Sequence, residues 1–230
     1  MTIKVVERRI FELTAITAIL AFCILTSSAQ QVVDRTVAVL SDGTRNELIT
    51  YSDLLWQLAL QPNTPIDPPR REDLQQALQT LINQRLFALE AQRLPRQAPT
   101  DKQVADKVQE TLSHFPSTPA FEQRLRQVGF ESVRDDNFQR LMSQRLDIEN
   151  YVAFRFQSFV VVTPDEEKKY YREVYVPAFH AKSPALLVPT FEQKQAEIHE
   201  TITQQKVAQS IERFVDEAKQ RVQIDILYDV

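Results

Sequence analysis

Only two glycines, Gly43 and Gly129, occur in the 230 residues. Glycine is the usual residue where the backbone takes a positive φ or comes close to a ligand. Phosphate loops, dinucleotide turns and nucleophile elbows all use it, so this chain has almost no material for a nucleotide site or a conventional catalytic loop. The single cysteine, Cys23, leaves no internal disulfide to form. The histidines are His114, His180 and His199, and none has a Cys, Asp or Glu at the spacing of a known metal signature. Glu197 and Glu200 flank His199, an ordinary arrangement on an exposed helix. Acidic residues are abundant, but no spacing selects one pair as acid and base. No catalytic, metal-binding or cofactor-binding residue is assigned. The formal net charge is −4 and there is no block of Lys or Arg, which argues against nucleic acid as a partner.

The N-terminus has the composition of a targeting segment. Lys4, Arg8 and Arg9 precede an apolar run from Leu13 to Leu25, and Ser27-Ser28-Ala29 follows. A basic start, a short apolar centre and small residues before the cut describe a secretory signal peptide cleaved after Ala29. The alternative, an uncleaved anchor, needs about 20 apolar residues to span a bilayer, and Glu12 stands at the edge of this run. Cys23 would leave with the signal. So would three basic and two acidic residues, taking the totals of 27 and 31 to a net charge of −5. The remaining chain, 30–230, reads as one domain in the periplasm, held together by packing alone.

What is present is helical. Residues 191–221 contain neither Gly nor Pro. Phe191, Ile198, Ile202, Ile211, Phe214, Val215, Ala218 and Val222 recur largely at spacings of three, four or seven, the apolar stripe of an amphipathic helix. Thr190 is its expected N-cap. After Val222 the period changes to two, so the last residues read as a strand. Its partner is the other strand-like stretch, Val32 to Leu40, with Val37 and Val39 on one face. Ser41 to Thr44 is a turn and 47–50 a short return strand. The expected fold is mostly α, with a small sheet pairing the N-terminal and C-terminal strands.

Helices fill the space between. Thr50 and Asp53 predict a capping box opening a helix to Leu60. Four prolines between Gln61 and Pro69 predict a loop. A long helix spans Arg70 to Leu94, stopped by Pro95. Another opens at Thr100-Asp101, and a short one runs from Ala120 to Val128, ended by Gly129. A fourth major helix covers Ser132 to about Phe156. Thr163, Pro164 and three acids then start a helix carrying Tyr170 and Tyr171, expected to stop near Val176-Pro177. Pro177 to Pro189 is left as a connection.

Aromatics are many for a helical chain: 13 Phe, 6 Tyr and 1 Trp. Core packing explains most. Phe154, Phe156 and Phe159, however, crowd one short segment and cannot all face one core at helical spacing. An open apolar surface that accepts other chains would use the remainder. The candidate client-binding residues are Trp56, Phe115, Phe121, Phe130, Phe154 and Phe156.

The order of elements resembles the SurA-type periplasmic chaperones. The likeness is carried by Val33-Asp34-Arg35 with Val37-Ala38-Val39-Leu40, by Ile49-Thr50 with Ser52-Asp53-Leu54, and by Leu78, Leu81-Ile82 and Leu86. It continues through Pro99-Thr100-Asp101 with Val104, Val161-Val162-Thr163-Pro164 with Glu166 and Tyr170-Tyr171, and Ile224-Asp225-Ile226-Leu227. Single motifs are loose, but their order covers most of residues 32–228. The resemblance implies an ATP-independent holdase, without cofactor, that binds unfolded exported polypeptides, outer-membrane proteins among them. It also implies a SurA N-terminal-like domain completed by the final helix and strand. Parvulin prolyl-isomerase domains commonly precede that final helix in the family. Here the corresponding place is only Pro177 to Pro189, too short for such a domain, so no isomerase activity is expected. The alternative is a dedicated envelope adaptor or structural subunit with one specific partner.

Overall fold

The computed structural model describes residues 34–94 and 97–230. The expected signal peptide, Val32 and Val33 of the expected first strand, and Pro95 lie outside the described residues. Strands β1 (Thr36–Ser41) and β2 (Asn46–Thr50) form a hairpin. Asp42 organises its turn: its Oδ1 accepts from the Thr44 hydroxyl at 2.7 Å and from the amides of Thr44 and Arg45 at 3.0 and 2.9 Å. Gly43 supplies φ +85° there, a conformation that side chains disfavour.

The last strand, β3 (Gln223–Ile226), returns antiparallel to β1, with Leu40 opposite Ile224, so the sheet order is β2-β1-β3. The chain is thus closed by its two ends, as the change of period at Val222 predicted. One detail differs. Val37, Ala38 and Leu40 are buried while Val39 is only half-buried, because a register shift between Thr36 and Ala38 breaks the simple alternation, as a β-bulge does.

Helix α1 (Tyr51–Ala59) opens with the expected Thr50/Asp53 capping box, and α2 (Arg71–Ala91) follows the proline loop. Leu54 and Leu58 of α1 and Leu74, Leu78, Leu81, Ile82, Leu86 and Leu89 of α2 build the main core with the sheet. The proline loop is anchored by Arg124. Its guanidinium donates to the backbone carbonyls of Leu58, Ala59, Gln61 and Thr64 at 2.8–3.3 Å.

Helices α3 (Asp101–Leu112), α4 (Thr118–Gln127) and α5 (Asp136–Val152) enclose a second core. Here α5 begins later than expected. Asp135, not Ser132, is the N-cap, its Oδ1 accepting from the amides of Asn137 and Phe138. It also ends earlier, passing into a π-turn over Ala153–Gln157. Helix α6 (Pro164–Tyr170) starts at the expected N-cap Thr163, which forms a capping box with Glu166.

The stop expected at Val176-Pro177 is not found. A second π-turn, Tyr171–Tyr175, carries the rod into α7 (Val176–Lys182). The Val176 amide bonds to the Tyr171 carbonyl, five residues back. Proline breaks a helix because it lacks an N–H and its ring meets a carbonyl of the preceding turn. The wider turn places Pro177 at the start of a new helical segment, where no donor is required of it. Residues 183–190 then lead to α8 (Phe191–Arg221), capped by Thr190 as expected.

Helix α8 serves two neighbourhoods. Phe214, Val215 and Ala218 enter the main core, and the Phe214 ring stacks on Phe87 at 5.1 Å. Ile198 and Ile202 are buried where α8 packs on α6. The rod α6–α7 and the first half of α8 form an arm, with Leu186 and Leu187 exposed in its loop.

Candidate functional site

The aromatic candidates divide sharply. Phe121, Phe130 and Phe115 are buried in the second core. There Phe115 lies 4.5 Å from Phe121, and Phe138 lies edge-on to both Phe121 and Phe130 at 5.9 and 5.5 Å. Phe156 is buried in the main core, edge-on to Phe87 and Phe214. Trp56 is half-buried. Its indole N–H donates to the Val128 carbonyl at 3.0 Å and its ring packs on Phe130. The expectation that Phe115, Phe121, Phe130 and Phe156 contribute to an open face is therefore corrected, because packing buries their rings, while Trp56 stays half-buried at the edge of the second core. The second core interleaves Val104, Val108, Leu125 and Met142 of α3, α4 and α5 with four phenylalanine rings, which bring large buried area.

Phe154 alone of the six is well exposed, at 54%. It is joined by Phe159, 70% exposed and edge-on to it at 5.8 Å, and by Val161, 71% exposed. Residues two apart on a helical turn point to nearly opposite sides, so Phe156 enters the core while Phe154 faces out. That the three phenylalanines of this segment cannot share one core was legible in the sequence. Which would stay outside was not. Phe159 stood among the aromatics but not among the candidates, and Val161 was read only as part of the Val161-Val162-Thr163-Pro164 motif.

Two clefts flank the π-turn. One, of about 550 Å³, lies between α2 and α5 and reaches the turn at Ala153 and Gln157; Phe87, Leu146, Ile148 and Val152 give it apolar walls. The other, of about 320 Å³, lies between the turn and α8 and is lined by Phe156, Phe159 and Phe214 with Arg155, Arg213 and Glu217. An apolar ridge beside such clefts can accept extended segments carrying large side chains without a fixed sequence. Its rim is charged, which keeps the surface hydrated when empty.

The arm beside this surface is held by polar contacts. Lys206 donates to Glu166 and to the Val161 carbonyl, both at 2.7 Å. Buried Glu167 accepts from Gln195 at 2.9 Å and pairs with the His199 Nδ1 at 2.6 Å. The Tyr171 hydroxyl donates to the Pro189 carbonyl at 2.8 Å. Lys206 holds the Glu166 carboxyl down to about 2, with the Thr163 amide and hydroxyl assisting. The hydrogen bond from His199, then that from Gln195, lowers Glu167. His199 thus has a structural partner. Among the described residues no cluster of three His, Cys, Asp or Glu could hold a metal ion, and no helix is long and apolar enough to cross a membrane.

No family model and no curated protein matches the sequence.

Proposed function

We propose that this chain is an ATP-independent chaperone that binds unfolded exported polypeptides in the periplasm and has no prolyl-isomerase activity. The observation that carries the reading is the exposed Phe154–Phe159 pair, with Val161 exposed two residues further on and Phe159 in the wall of one cleft. Large apolar side chains grouped on a surface are a feature of binding sites. The SurA-like order of elements, and the closure of the sheet by the last helix and strand, support a SurA N-terminal-like domain. The signal-like N-terminus supports the periplasmic assignment. Where SurA-type chains insert isomerase domains, this one has the end of α7 and the residues 183–190. With no nucleotide cycle, release follows from client folding or transfer.

A second reading rests on the arm. Leu187 is 95% exposed beside Leu186, and so small an apolar tip suits the pocket of one dedicated partner. This is the envelope-adaptor alternative.

Aggregation suppression separates the two. An unfolded outer-membrane protein and an unrelated unfolded soluble protein are diluted with residues 30–230 in the absence of nucleotide. Suppression of both at near-stoichiometric ratio is expected, and the double substitution Phe154→Ser/Phe159→Ser should weaken it with helicity unchanged. Failure with both clients, by a folded chain, sinks the chaperone reading.

A further inference from the structure

The cleft between α2 and α5 contains a positive charge that its walls balance only in part, through the longer-range attraction of Glu149. Arg145 lines it among apolar side chains. Its guanidinium gives one hydrogen bond, from Nη2 to the amide oxygen of buried Gln57 at 2.8 Å. Among the described residues no carboxylate forms an ion pair with it. Glu149, the acid in the cleft wall, is engaged by Lys107 at 2.8 Å. Arg85 adds repulsion and keeps its own partners, Asp53 and Glu47, at 3.4 and 3.8 Å. Burial disfavours the charged Arg145, pulling its guanidinium below the usual value.

Arg124 shows the contrast. It too is desolvated, but its donors go to four backbone carbonyls and it has a complete structural role. Arg145 keeps most of its five N–H donors uncommitted, in a fork whose geometry matches a carboxylate. The ligand that completes this cleft carries one carboxylate on an apolar body. A volume of about 550 Å³ lies within the range of ligand-sized pockets.

We infer that the cleft between α2 and α5 binds the free C-terminal carboxylate of a polypeptide that ends in apolar side chains, with Arg145 holding the carboxylate. The choice of a polypeptide end over another carboxylate rests on the polypeptide-binding reading above. The cleft and the Phe154–Phe159 ridge share the π-turn, so the residues preceding a bound terminus continue onto the ridge.

The test is fluorescence anisotropy with a dye-labelled peptide, Gly-Ser-Gly-Ser-Leu-Phe, prepared as the free acid and as the C-terminal amide. The free acid should bind about tenfold more tightly, the scale of one charge-assisted contact. Arg145→Met should erase that preference with the circular dichroism unchanged. Because Arg145 also bonds Gln57, a second variant guards against misfolding. Asn150→Trp, at an exposed position in the cleft wall, should weaken the free-acid peptide while leaving the guanidinium in place.

Equal binding of acid and amide overturns the inference, as does a preference that survives both substitutions. Binding of dodecanoate through Arg145, with no binding of the free-acid peptide, also overturns it and makes the cleft a fatty-acid site. Aggregation suppression is measured on the same preparation. Suppression with equal acid and amide binding removes only the terminus inference; no suppression and no binding of either peptide removes the chaperone reading with it.

Discussion

The two halves of α8 are held by different forces. Its C-terminal half inserts Phe214, Val215 and Ala218 into the main core and continues into β3. Its N-terminal half buries Ile198 and Ile202 against α6 and relies on Glu166–Lys206 and Glu167–His199 for much of the rest. Apolar burial varies little with pH and salt, whereas a partly exposed ion pair such as Glu166–Lys206 is weak and screened. One helix thus joins a firmly packed body to a more easily loosened arm. The exposed ridge lies where they meet, between the π-turn that ends α5 and the start of α6. Elements that move on binding come from the less stable parts of a fold.

The largest expected effect breaks the body. Phe214→Ala removes a ring that stacks on Phe87 and meets Phe156 edge-on, and should cost about 3–5 kcal/mol in urea unfolding. A loss below about 1 kcal/mol would mean that the C-terminal half of α8 does not close the domain.

A smaller effect is expected in the arm. Ile198→Ala should cost about 2 kcal/mol, the low end for a buried isoleucine. It should appear mainly as faster amide exchange over 164–182, with β1 little affected. Equal acceleration in both places would erase the distinction between arm and body.

Acid should give the smallest and most selective effect. The Glu166 carboxyl falls from an ordinary 4.5 to about 2 in the folded chain, and Glu167 is lowered as well. A depressed carboxyl contributes its full stabilisation above its unfolded value and loses it as pH falls toward its folded value. Arm protection should therefore decline between about pH 4.5 and 2. Lys206→Met should reduce the part of this dependence due to Glu166, leaving the share that Thr163 supplies. An arm indifferent to pH over that interval would contradict the assignment.

These contrasts also mark what was legible in the sequence. Local signals fared best. The N-caps Thr50, Thr163 and Thr190 stand where they were expected, and Thr100 caps the helix expected to open at Thr100-Asp101, because a cap needs only its own first turn. The closure of the sheet was also readable, since the period changes at Val222 and the stretch from Val32 to Leu40 offered it a partner strand. The π-turns were not. A shift from four-residue to five-residue hydrogen bonding leaves no local mark, so α5 was drawn too long and Pro177 was taken for a stop. Burial of aromatics was the least readable. Phe121 and Phe154 look alike in sequence, and only the packing of α3, α4 and α5 decides that one is core and the other surface. Phe154 was recoverable from its crowded segment. Arg145 gave no signal at all, because its meaning lies in the counter-ion it lacks.

The most direct measurement is site-specific photo-crosslinking to unfolded clients. A benzophenone side chain is placed at Phe159 on the ridge, at Leu187 on the arm tip, and at exposed Lys102 on α3 as a control. Each protein is irradiated with two unrelated unfolded clients. Strong crosslinking of both clients from position 159, with little from 102, is the result the account predicts. Crosslinking only from 187, or from no position with either client, would contradict it.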